Sequence, residues 1–146
     1  MAAGHEVAIL AGGCFWGMEG ILRKIPGVVG TEVGYAAGAE AVRVVFDPAR
    51  VSYATLLDDY FFRMHDPTTK NRQGNDVGEQ YRSAIFFTSP AQRETAEAAK
   101  QRALAFWKNP ITTEVVAAGA FEPADEFHQD YLEKNPGGYT CHFIRK

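Results

Sequence analysis

The chain has 146 residues, a length that fits one compact domain able to bury roughly 70% of the surface its unfolded form exposes. With 46% hydrophobic and 23% charged residues it has the balance of an ordinary globular protein, which excludes disordered, fibrous and disulfide-framework classes. Its 15 basic and 18 acidic side chains leave a net charge of −3, too slight for nucleic acid or an anionic membrane to be an expected partner.

In chain order, residues 6 to 11 form an apolar run closed by Gly12 and Gly13, which predicts a buried strand entering a tight turn. A helix is expected from Cys14 or Phe15, because Met18, Ile21, Leu22 and Ile25 recur at helical spacing until Pro26-Gly27. Val29, Thr31, Val33 and Tyr35 alternate with other residues, as do Val42, Val44 and Phe46, predicting two strands that pair around Gly34 to Gly38. Ser52 is a candidate N-cap for an amphipathic helix whose stripe is Tyr53, Leu56, Leu57, Tyr60, Phe61 and Met64, ended by Asp66-Pro67. Thr68 to Gly78 reads as a long polar surface loop, and Arg82 to Phe87 as a strand. Ser89-Pro90-Ala91-Gln92 is a capping box with proline at the first helical position, opening a helix to about Trp107. A strand over Thr112 to Val116 follows, then a helix from about Pro123 to Glu133 carrying Phe127 and Tyr131. Asn135-Pro136-Gly137-Gly138 releases a flexible tail, residues 135–146, that holds Cys141.

This order predicts an α+β fold, a two-layer α/β sandwich with a mixed sheet and a βαββαβ, ferredoxin-like core, in one catalytic domain over 1–146. No basic leader opens the chain and no run of eighteen apolar residues occurs, so a cytoplasmic protein is expected; a monomer is the expected state. Cys14 and Cys141 lie at opposite ends, and a permanent staple between them is not expected in a reducing compartment. Neither C-x-x-C nor H-x-x-x-H spacing occurs among the cysteines and histidines, which argues against a structural metal.

Cys14 stands between glycines and beside two large rings, Phe15 and Trp16, that can wall an apolar pocket. Its expected place at a helix N-terminus lowers a thiol pKa by roughly 0.2 to 1.5 units, a partial activation. Gly13-Cys14-Phe15-Trp16-Gly17 resembles the signature of the A-type peptide methionine sulfoxide reductases. The resemblance extends through Gly34-Tyr35-Ala36, Glu40 to Pro48, His65-Asp66-Pro67-Thr68, Gln73-Gly74-Asn75-Asp76, Gln80-Tyr81-Arg82-Ser83 and His128-Gln129-Asp130-Tyr131, nearly the whole chain.

The resemblance implies reduction of the S epimer of methionine sulfoxide, free or in proteins, without metal or organic cofactor and with electrons from thioredoxin. It further implies Cys14 as nucleophile, Glu40 as general acid, Tyr81 as hydrogen-bond donor to the sulfoxide oxygen and Asp76 on the polar side of the pocket. Phe15, Trp16, Tyr81 and Glu40 are then the substrate-binding residues, and Cys141 resolves a Cys14 sulfenic acid as a disulfide. The chemistry is coherent, since a sulfoxide sulfur accepts a thiolate only as its oxygen is protonated. His128 and His65 read as structural donors, the latter at a helix end. Two alternatives stay open: a thiol peroxidase, and a catalytically weakened domain that binds methionine or methionine sulfoxide peptides. Between Gly38 and Glu40 only Ala39 stands where the family carries a longer loop with a second active-site tyrosine.

Overall fold

The structure, a computed structural model, describes residues 4–73, 76–107, 110–124, 128–129, 134 and 142. Among these, β1 (Glu6–Gly12), β2 (Val28–Ala36), β3 (Ala39–Phe46), β6 (Ser83–Phe87), β7 (Glu114–Ala117) and β8 (Phe121–Pro123) form one sheet in the order β7-β6-β1-β3-β2-β8. The β6–β7 pair is parallel and every other pair antiparallel, so the sheet is mixed as expected. Strand β8 was not legible, and Pro123 ends it instead of opening a helix. Glu133, Phe127 and Tyr131 of that expected helix, and most of the tail, lie outside the described residues.

The β2–β3 hairpin closes through Ala37-Gly38, with φ of 49° and 80°, the left-handed pair of a two-residue turn that matches strand twist. Gly38 takes that conformation without strain, whereas the Cβ of Ala37 costs about 1–2 kcal/mol there. Tyr35 and Glu40 consequently face each other across the hairpin.

Helix α1 (Phe15–Leu22) follows β1 at once, as predicted. The expected single helix after Ser52 is instead α2 (Tyr53–Thr55), a π-helical stretch Leu56–Phe61 and α3 (Phe62–Met64). Ser52 Oγ does accept the Thr55 N–H at 3.0 Å, so the N-cap holds. The wide turn advances the register by one residue, so Phe62 is buried together with Phe61. Helix α4 (Pro90–Trp107) buries Ala96, Ala99 and Ala103, small side chains that let it approach closely. Its Gln92 accepts from Thr88 N–H at 2.9 Å and donates to Glu6 Oε2 and Val7 O at 2.8 Å each, tying α4 to β1.

The helices and one sheet face enclose the main core, which includes Leu10, Met18, Phe46, Leu57, Phe61 and Ile85. The other face is lined by Ile9, Ala11, Ala36, Ala39, Ala41, Ala84 and Phe86, with Ala118 of the β7–β8 connection and Phe121 of β8 packed on it. The segment Thr68 to Gly78, expected as an irregular loop, contains a two-strand ladder, β4 (Arg72–Gln73) with β5 (Asp76–Val77). Thr112 N–H donates to Pro67 O at 2.7 Å, and Asp66 N–H to Gln73 Oε1 at 2.9 Å, which fasten its base. Among the described residues, no helix is long and apolar enough to cross a membrane.

Candidate active site

Strand β1 delivers the chain to Gly13, whose φ of +94° turns it into α1 with Cys14 at the N-cap. A Cβ on Gly13 would lie 2.7 Å from the Gln73 side chain, and one on Gly12 would lie 3.0 Å from the His65 ring. The turn is thus clamped between two other segments. His142 Nε2 lies 2.7 Å from the Gly12 carbonyl, and a carbonyl only accepts, so that nitrogen carries the proton. Beneath the turn runs a buried polar chain. His65 Nδ1 donates to Phe61 O at 2.7 Å, its Nε2 meets Ser83 Oγ at 2.8 Å, and Ser83 meets Thr113 Oγ1 at 2.7 Å. His65 therefore fixes a helix end, as its position suggested, and also reaches the sheet.

Glu40, the second residue of β3, brings its carboxyl to the start of α1. Its Oε1 accepts the Phe15 N–H at 3.2 Å, one of the donors that a helix start leaves without an internal partner. Its Oε2 accepts from Gln80 Nε2 at 3.2 Å. The residue is 8% exposed, and burial raises the carboxyl above the usual range while these two donors hold it down and Asp76 adds to the rise. Cys14 is equally 8% exposed. Burial pushes its thiol up to about 11, helped by Glu40 and Asp76 and opposed by the Trp16 and Gly17 backbone N–H groups. The expected helix-end activation is therefore present, but desolvation outweighs it.

Burial also raises Asp76, whose Oδ2 is enclosed and has no hydrogen-bond partner among the described residues. Tyr81 is raised by burial, then by Glu40 and Asp76, with Cys14 also contributing. Cys14, Glu40, Asp76 and Tyr81, drawn from four separate segments, thus form one electrostatically linked group.

Aromatic rings form the adjoining wall. Phe15 is buried and packs on Tyr35 at 5.5 Å and on His128 at 5.6 Å between centroids. Trp16 is half-buried, stacks on His128 at 5.6 Å and 30°, and donates its indole N–H to His128 Nδ1 at 3.1 Å. The neighbouring Gln129 side chain bonds both the N–H and the carbonyl of Val33 at 2.9 Å, holding His128 against β2. His128, read from sequence as a structural donor, is an acceptor that orients Trp16.

The fold therefore gathers Cys14, Phe15, Trp16, Glu40, Asp76 and Tyr81, while Cys141 lies outside the described residues. Sequence reasoning missed Gln80, whose partner is 40 positions away, and Arg82, which donates to Ala37 O at 2.7 Å and to Glu79 O at 3.0 Å. Neither contact has a local signal beyond membership of the Gln80-Tyr81-Arg82-Ser83 motif. Chemically, a thiol reluctant to ionise stands among carboxyls that hold protons readily, so one proton can pass between them as sulfur attacks.

Residues 6–40 and 37–146 match the family described as peptide methionine sulfoxide reductase. The two matched stretches overlap at residues 37–40, around the Ala37-Gly38 turn. Peptide methionine sulfoxide reductase MsrA 1 of Mesorhizobium japonicum is 53% identical over 160 aligned positions, 99% of this chain and 92% of that protein. Those positions outnumber the residues of this chain, so the relative carries residues that this chain lacks. Among solved structures, reduced Mxr1 from Saccharomyces cerevisiae superimposes with a TM-score of 0.94 at 36% identity, covering 100% of this chain and 95% of that one. Mxr1 in complex with Trx2 gives 0.75 at 30% identity, covering 100% and 94%.

Proposed function

Because the chain belongs to the peptide methionine sulfoxide reductase family, we propose that it reduces methionine-S-sulfoxide, free or in proteins, to methionine, with thioredoxin as reductant. One observation carries the assignment of residues: the Glu40 carboxyl is held on the Phe15 N–H, one residue from the buried Cys14 thiol and beside the Phe15–Trp16 wall.

In this reading the Cys14 proton passes to Glu40 and the thiolate attacks the sulfoxide sulfur. The S–O bond breaks as Glu40 returns the proton to the oxygen, with Tyr81 donating a hydrogen bond to it; the hydroxyl bonds to the Cys14 sulfur while the transient bond between the two sulfurs breaks and leaves its electron pair on the substrate. The products are methionine and a Cys14 sulfenic acid, the substrate sulfur gaining the two electrons that Cys14 loses. Cys141 then condenses with the sulfenic acid, releasing water and forming a disulfide that the dithiol of thioredoxin reduces. Two observations support the resolving step. His142, which follows Cys141, has its imidazole on the Gly12 carbonyl, two residues before Cys14. A relative at 30% identity has been solved with Trx2. A peroxidase reading needs a thiol that ionises unaided, whereas burial pushes Cys14 up to about 11.

The test uses resolved sulfoxide epimers with a dithiol reductant. The S epimer alone disappears, Cys14→Ser yields no methionine, and, with the dithiol left out, Cys141→Ser yields one equivalent and then stops as a sulfenic acid. Methionine formed by Cys14→Ser would defeat the assignment.

A further inference from the structure

Glu40 has two carboxyl oxygens and a different kind of partner on each. The Phe15 N–H at Oε1 belongs to a helix start and can only donate, so it favours the ionised carboxyl and keeps Oε1 an acceptor. The Gln80 amide at Oε2 is different, because rotation about its last torsion exchanges its NH2 for its carbonyl oxygen. We propose that Gln80 is a positioning residue for Glu40, donating to Oε2 when the carboxyl is ionised and accepting its O–H when it is protonated. The proposal rests on the reading of Glu40 as the acid of the reaction.

Gln80 is exposed, yet its backbone is anchored. It belongs to a 3₁₀ turn, Glu79–Tyr81, where Tyr81 N–H donates to Gly78 O at 3.0 Å and Gly78 N–H to Asn71 O at 2.8 Å. Arg82 then bolts that turn to the hairpin, with Nη1 on Glu79 O, Nη2 on Ala37 O and Nε 3.5 Å from Glu114 Oε1. The short hairpin and the turn carrying Gln80 and Tyr81 are thus fixed to each other beside the carboxyl. Tyr81, the proposed oxygen donor, follows Gln80 in the same anchored turn, so the amide and the phenol are carried to the site by one segment.

The titratable groups around the carboxyl are Cys14 ahead of α1, Asp76 on β5, Tyr81 on the turn and Tyr35 across the hairpin. None of these is a cation, and the Arg82 guanidinium is occupied elsewhere. Among the described residues, the removable side-chain donor on the acid is Gln80. A proton on Oε2 rests against the Gln80 carbonyl oxygen until a sulfoxide oxygen competes for it. When the proton leaves, the amide turns back and stabilises the carboxylate.

The experiment measures single-turnover methionine formation across pH for the wild type, Gln80→Met and Gln80→Glu, with circular dichroism as the check on folding. The reactive state holds one proton between Cys14 and Glu40, so activity rises with pH as the carboxyl loses its extra proton. Gln80→Met removes the donor that holds the carboxyl down, and its acid limb moves to higher pH. The rate falls about 10-fold, the worth of one hydrogen bond to a charged group, while the substrate KM changes little. Gln80→Glu adds a like charge and moves the acid limb further. A folded Gln80→Met with wild-type rate and acid limb overturns the proposal and leaves the reading of Glu40 intact. Cys14→Ser, run alongside, separates the two, because methionine formed there takes down both.

Discussion

Replacing Glu40 by Gln should move two activities of Cys14 in opposite directions. The substitution keeps an acceptor for the Phe15 N–H and removes a negative charge that helps lift the Cys14 thiol from 9.0 to about 11. Like charges a few ångströms apart repel by about 1 kcal/mol in water and about 4 kcal/mol at an effective dielectric of about 20. Burial and the Trp16 N–H both weigh more than Glu40 on this thiol, which selects the lower end, about 1.4 kcal/mol or 10-fold in thiolate. At a pH above that at which the raised Glu40 carboxyl titrates, iodoacetamide should alkylate Cys14 about 10-fold faster in Glu40→Gln, measured in a Cys141→Ser background so that one thiol reports. Methionine formation should fall by about 10²- to 10⁴-fold, the usual worth of a positioned acid. Alkylation no faster than wild type, or sulfoxide reduction undiminished, would refute the reasoning.

The raised Glu40 carboxyl also links folding to pH. The folded chain holds that proton more tightly than the unfolded one, so this stability is present below the ordinary carboxyl range and is lost as pH rises through the raised value. Glu40→Gln should therefore have a higher Tm than wild type at neutral pH and no advantage near pH 4; a gain independent of pH in calorimetry counts against this linkage. Gly34→Ala places a Cβ 2.3 Å from the Glu122 carbonyl oxygen and 2.7 Å from the Phe121 ring, so β8 must separate from β2. Urea unfolding should show a loss of about 1–3 kcal/mol. His65→Ala leaves the Phe61 carbonyl and the Ser83 hydroxyl without that partner in a buried site, a loss of about 2–4 kcal/mol by the same measurement.

Long periodic segments were legible because their pattern reflects burial directly. The alternation of β2 and β3 and the capping box at Ser89 led to the right elements, and the stripe from Tyr53 to Met64 led to a helical segment in the right place though of mixed type. What failed was either too short to show a period or invisible to one. Strands β4, β5 and β8 have two or three residues each, and Pro123 marks a helix start and a strand end equally well. Periodicity places Leu56 to Phe61 on an inner face but does not distinguish a π turn from an α turn. The Cys14 neighbourhood was legible through its glycines and rings, and Glu40, Asp76 and Tyr81 through the family motifs. The direction of the thiol shift was not, since helix-end stabilisation is readable from sequence whereas the depth of burial opposing it is a property of the packed fold.

The two-residue turn at Ala37-Gly38 also bears on how the chain acquires its working carboxyl. A hairpin closed so tightly needs no distant partner and assembles in about 1–10 μs, whereas β1, 32 to 40 positions upstream of its partners, must search for its place on β3. Tyr35 and Glu40 thus come into register within a local nucleus, ahead of the thiol they later surround. Pulsed amide exchange during refolding should find β2 and β3 protected before β1, so that the acid waits for the nucleophile.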